Sequence, residues 1–134
     1  KLENLAKTLN TKVNFLGNLP HKDLMNILSS TKYFISTSLY EGNSKVLLEA
    51  LASGCLVFAT DIKNNSEIIT HEQTGILFKL EEGELVNSFN KYSKSDDSKD
   101  ISGNAILHIS KNYSLSMVSS REYSDYIWLL ENRN

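Results

Sequence analysis

Short runs of β-prone apolar residues alternate along this chain with amphipathic stretches of helical period, and that alternation limits the fold more than any other feature. "KVNFLG" (12–17), "YFIST" (33–37), "CLVFAT" (55–60) and "TGILF" (74–78) each read as a strand. Between them, "PHKDLMNILSS" places Leu24, Ile27 and Leu28 on one helical face behind Pro20, which suits a first turn. A second helix is expected from about Ser44 to Ser53, stopped by Gly54. "DIKNNS" reads as a polar loop and "SEII" as a single helical turn. With connections this short, β-α-β-α-β implies a parallel sheet covered by helices on both faces. The flanks are helical. "LENLAKTLN" has leucines at 2, 5 and 9, and "EEGELVNSFNKYS" puts Leu85, Val86 and Phe89 on one face. "SKSDDSKD" reads as a solvated bend before "ISGNAILHISKNY" and a C-terminal helix over 113–131. Tyr123, Tyr126, Ile127, Trp128 and Leu130 give that last helix a wide apolar surface, expected to pack on the domain or on a neighbouring part of the protein.

Length and charge narrow the function classes. The 134 residues suffice for one domain with a core of its own. Fourteen Lys plus Arg face sixteen Asp plus Glu, for a net charge of -2, which offers no electrostatic footprint for nucleic acid or an anionic membrane. Cys55 has no partner for an internal disulfide and reads as a buried thiol in a reducing, cytoplasmic setting. No apolar run reaches the length of a membrane span. His21, His71 and His108 have no Cys, His or Asp at ligand spacing, so no metal site is expected. The glycine-rich phosphate loops and the nucleophile elbow are also absent from the sequence.

In a parallel sheet, ligands bind beyond the carboxyl ends of the strands, and "EGNS" sits at such an end, running into a helix. Gly42 permits a sharp turn, and Asn43 and Ser44 both suit an N-cap. A plain capped helix start accounts for these features, and so does an anion site built on free backbone N–H groups. Glu49 is similarly open. At 100° per residue Val46, Leu47, Ala50 and Leu51 cover one arc, leaving Lys45, Glu49 and Ser53 on the remaining stripe. That stripe is either solvated, with a weak Lys45–Glu49 pair, or it faces a cleft where the carboxylate accepts ligand hydroxyls.

"YEGNSKVLLEALASGCLVFATDIKNNSEIITHEQTGILF" (40–78) resembles the donor-binding signature of retaining GT-B glycosyltransferases of the family 4 type. That signature has two glutamates with seven residues between them, here Glu41 and Glu49, then A-x-A-x-G, a buried strand, a small loop ending in Glu67, and T-G-x-L. The preceding helix, "V-x-F-L-G", helix and strand follow the same order. The resemblance implies the Rossmann-like, donor-binding C-terminal half of a GT-B fold, with a helical tail. It implies that Gly42, Asn43, Ser44 and Lys45 hold the diphosphate of a nucleotide-sugar, and that Glu49 binds the ribose hydroxyls. By the same resemblance Glu41, as the catalytic residue, touches sugar hydroxyls near the reacting carbon. Asn18 and Leu19 lie by the base, and the loop carrying Asn64 closes over the sugar. Sugar transfer with retention, without metal or other cofactor, is the implied chemistry.

The chain departs from the family pattern in three places. The Arg and Lys that clamp the phosphates belong to a segment upstream of this sequence. Ser44 stands where many members have glycine, and Lys63 and Asn64 replace a Gly-Gly pair. The expectation is therefore a donor domain lacking its first β-α-β portion, inactive alone. The glycan or lipid-linked acceptor is met through the other half, which is also the only route to peripheral membrane association. The location expected is cytoplasmic, up to the inner face of the membrane, with a role in polysaccharide or cell-envelope biosynthesis. A degenerate binding or scaffold module and a sugar-nucleotide epimerase of the same fold are the alternatives.

Overall fold

A computed structural model describes residues 2–40 and 44–131. Ten elements follow in order: α1 (Leu2–Thr8), α2 (His21–Ser30), β1 (Tyr33–Ser36), α3 (Lys45–Ala52), β2 (Leu56–Thr60), α4 (Lys63–Ile68), β3 (Ile76–Phe78), α5 (Glu84–Tyr92), α6 (Asp97–Asn112) and α7 (Leu115–Glu131). The strands form one parallel sheet in the order β1-β2-β3, with Tyr33 opposite Leu56 and Phe58 opposite Ile76.

The apolar run of β2 dictates the layering. All five of its residues are buried, as expected of a central strand with both faces covered. Val57 and Ala59 point to one side, into a cluster with Leu28 of α2, Leu47, Ala50 and Leu51 of α3, Ile68 of α4, and Ala105 and Ile109 of α6. Leu56 and Phe58 point to the other, meeting Ile76, Phe78, Ile101 and Tyr92, with Leu85 and Phe89 of α5 against them. The result is the expected three-layer α/β/α arrangement. Cys55 is buried as well, its thiol donating to the Leu28 carbonyl at 3.4 Å. Burial pushes that thiol's pKa up, which keeps it an inert core group.

Gly54 ends α3 with φ +80°, and Cys55 N donates back to the Ala50 carbonyl at 3.1 Å. An added Cβ there would sit 3.2 Å from Ile106 Cδ1. Gly54→Ala is therefore expected to cost about 1–2 kcal/mol from the left-handed backbone, read as a lower urea midpoint at unchanged slope.

Several segments differ from the sequence expectation. "KVNFLG" forms no strand; Val13, Phe15 and Leu16 are exposed. Apolar residues alone do not make a strand, because its backbone groups need a neighbouring strand, and the described sheet offers none beside this segment. "SKSDDSKD" is not all bend, since α6 starts at Asp97. The Asp97 amide donates to Ser95 Oγ at 3.2 Å, and Asp97 and Asp100 complement the helix dipole. Helix α4 starts at Lys63, inside the stretch that reads as loop. Asn65 Nδ2 ties it to the Thr60 carbonyl at 2.9 Å. Tyr113 caps α6 rather than opening the last helix. On α7, Tyr123 and Trp128 are largely exposed; the side chains of Tyr126 and Leu130 lie outside those described.

Candidate functional site

In a parallel α/β layer each helix runs back against its strand, so α2 and α3 both start on the carboxyl side of the sheet. There the Thr60 hydroxyl, at the end of β2, donates to the Ser38 carbonyl in the segment leaving β1. Glu41, Gly42 and Asn43 follow and lie outside the described residues. Ser44 is buried at the N-cap of α3, and its carbonyl accepts from Leu47 N at 3.0 Å and Leu48 N at 3.2 Å. The amides of Lys45 and Val46 precede those bonds and have no intrahelical acceptor, as at any helix start.

One turn into α3, the Glu49 side chain is only 14% exposed. Helical arithmetic leaves this position on a polar stripe, but α2 covers it. His21 Nε2 lies 2.8 Å from Glu49 Oε1 and Lys45 Nζ 3.7 Å from the same oxygen. A carboxylate only accepts, so His21 Nε2 carries the shared proton. Oε2 accepts no hydrogen bond among the described residues. The contacts thus unite Lys45, Glu49 and His21. Asn64 is half-buried in the first turn of α4, just past the carboxyl end of β2. Asn18 and Leu19 are exposed in the irregular segment entering α2, with no described contact to the Glu49 group.

Sequence reasoning misses His21. Nothing in the spacing links positions 21 and 49; only the topology, which puts both helix starts on one side, gives a signal. It also misses a group beside β3, where Glu72 accepts from Lys91 Nζ at 3.1 Å and from the Tyr92 hydroxyl. The Tyr92 hydroxyl, then Lys91, hold the Glu72 carboxyl below its usual range. The Tyr92 hydroxyl, then Glu72, hold the Lys91 ammonium above its own range. Next to them His71 Nδ1 accepts from Leu77 N at 3.0 Å, capping an outward amide of the edge strand. These groups line a cavity of about 550 Å³ that shares no residue with the Glu49 group, and its central charges are already paired.

In a parallel three-layer α/β domain ligands bind beyond the carboxyl ends of the strands, the side on which this polar cluster lies. The profile of the family "Glycosyl transferases group 1" matches residues 1–107, and the chain belongs to that family. "Glycosyltransferase 1 domain-containing protein 1" of Xenopus tropicalis is 31% identical over 102 residues, covering 76% of this chain and 30% of that protein. Among solved structures, Anabaena Alr3699/HepE in complex with UDP and glucose superposes with a TM-score of 0.85 at 22% identity. That match covers 96% of this chain and 36% of the other. A glycosyltransferase from Rickettsia africae ESF-5 also gives 0.85, at 24% identity, over 98% of this chain and 36% of its own. The fold is the Rossmann-like half of a GT-B glycosyltransferase, and the chain spans about a third of the length of these relatives. Among the described residues no helix is long and apolar enough to cross a membrane.

Proposed function

We propose that this chain is the donor-binding half of a glycosyltransferase that moves a sugar from a nucleotide-sugar to a glycan or glycoconjugate acceptor with retention. The observation that carries the reading is Glu49, a mostly covered carboxylate on the carboxyl side of the sheet, held at one oxygen by His21 with Lys45 nearby. Such a group is suited to accept ribose hydroxyls. The α3 start beside it, with Ser44 and Lys45, suits a diphosphate. Leaving-group charge is then met by that helix start and cationic side chains, with no metal required. The UDP and glucose bound by HepE, whose fold this chain shares, support a nucleotide-sugar as donor. Asn64 near the sugar, Asn18 and Leu19 near the base, polysaccharide or cell-envelope biosynthesis, and a cytoplasmic setting at the membrane's inner face all belong to the same proposal.

The test is calorimetric titration of the protein as its gene encodes it with UDP, GDP and ADP. One of the three is expected to bind. Glu49→Ala is expected to weaken it about ten- to hundredfold, the worth of charge-assisted bonds of about 1.5–3 kcal/mol. No binding of any nucleotide would instead favour a module without transferase activity.

A further inference from the structure

We propose that His21 is a positioning residue for the nucleotide, orienting the Glu49 carboxylate so that its second oxygen, Oε2, meets the ribose. This rests on the reading of Glu49 as the ribose acceptor.

A glutamate side chain has three rotatable bonds, and ordering it on ligand binding costs affinity unless the protein has ordered it already. Lys45 cannot do so. It is 79% exposed, 3.7 Å away, and on the same helix in the weaker Lys-before-Glu order. His21 comes from a separate element, at 2.8 Å. Its backbone is well fixed: it is the first residue of α2, directly after Pro20 with φ −56°, and α2 is anchored by Leu28 in the core, with Leu24 and Met25 partly buried against it. The contact engages Oε1 and leaves Oε2 without a hydrogen bond among the described residues. Fold stability is a poor explanation of this pair. The His21 side chain is 62% exposed, and pairs with a partner so exposed contribute little. A bond of little use to the fold, which immobilises a carboxylate while leaving its second oxygen without a partner among the described residues, is what preorganisation for a hydroxyl ligand requires.

The experiment is a double-mutant cycle by calorimetry on the gene-encoded protein, using whichever of UDP, GDP or ADP binds most tightly, together with its 2′-deoxy form. His21→Ala is expected to weaken the ribonucleotide about three- to tenfold, the cost of ordering one free side chain. In the Glu49→Ala background the same change is expected to have an effect within about twofold of none, because its target is gone. The His21→Ala penalty is expected to shrink for the 2′-deoxy nucleotide. His21→Gln, whose amide N–H reaches a similar distance, is expected to recover most of the affinity; it also serves if the alanine variant folds poorly. A merely structural histidine would give neither the rescue nor the deoxy dependence. Wild-type affinity in His21→Ala, or a full penalty that persists without Glu49, overturns the positioning role. Wild-type affinity in Glu49→Ala, or no nucleotide bound at all, overturns the donor reading itself.

Discussion

Replacing Phe58 by alanine is expected to lower the stability of the domain by about 3–5 kcal/mol, read by urea unfolding. Phe58 is fully buried in the middle of the central strand. Its ring lies 5.4 Å from that of Phe89 and 6.4 Å from that of Tyr33, so truncation forfeits aromatic contacts as well as transfer free energy. The hole cannot close readily. Tyr33 is held by its hydroxyl bond to the Ser93 carbonyl at 2.8 Å, and the strand backbone is locked by pairing on both sides. Val86, exposed on the same helix as Phe89, provides the contrast, and Val86→Ala is expected to change stability by no more than about 0.5 kcal/mol. A Phe58→Ala loss below about 1 kcal/mol would mean that α5 does not seal this face of the sheet.

Phe58 also illustrates why so much of the fold is legible in the sequence. "CLVFAT" is apolar at every position because β2 faces a helical layer on each side, and a strand with one wet face would alternate. Where local pattern and tertiary burial agree, as in α2, α3 and β2, the elements form as expected. The pattern fails at "KVNFLG", because strand formation depends on a hydrogen-bonding neighbour that no property of these six residues reveals. It fails in the opposite sense at α4 and at the start of α6, where polar residues build helix through side-chain bonds such as Asn65 to Thr60. The site divides in the same way. Lys45 and Glu49 are related by one helical turn, so their pairing can be read directly. His21 is 28 positions from Glu49 and reaches it only once two helices have packed. That the pair is half of a donor site is only what the resemblance implies, since helical geometry alone leaves open whether the Glu49 stripe is solvated or faces a cleft.

In the proposed transfer, Glu41→Ala is expected to reduce turnover about 10²- to 10³-fold, while affinity for the free nucleoside diphosphate stays within about twofold. Glu41 lies outside the described residues; its role is what the family resemblance implies, for a position between the segment leaving β1 and the Ser44 cap of α3. As the bond from the anomeric carbon to the diphosphate breaks, positive charge grows on the sugar ring. A carboxylate bonded to hydroxyls near that carbon interacts more strongly with the charged transition state than with the neutral ground state, so its loss falls on turnover. The free nucleotide carries no sugar and makes no such contact, so its affinity is the internal control. This separates Glu41 from Glu49, whose removal is expected to weaken binding of the nucleotide itself. Glu41→Gln refines the result, because it keeps a hydrogen-bonding side chain of the same length but removes the charge. Recovery of most activity in Glu41→Gln would assign the effect to hydrogen bonding, and a loss close to that of alanine would assign it to charge. Full turnover in Glu41→Ala, or an equal fall in nucleotide affinity, would remove Glu41 from the reacting centre. The donor domain would then bind the nucleotide while the groups that stabilise the sugar's charge come from elsewhere.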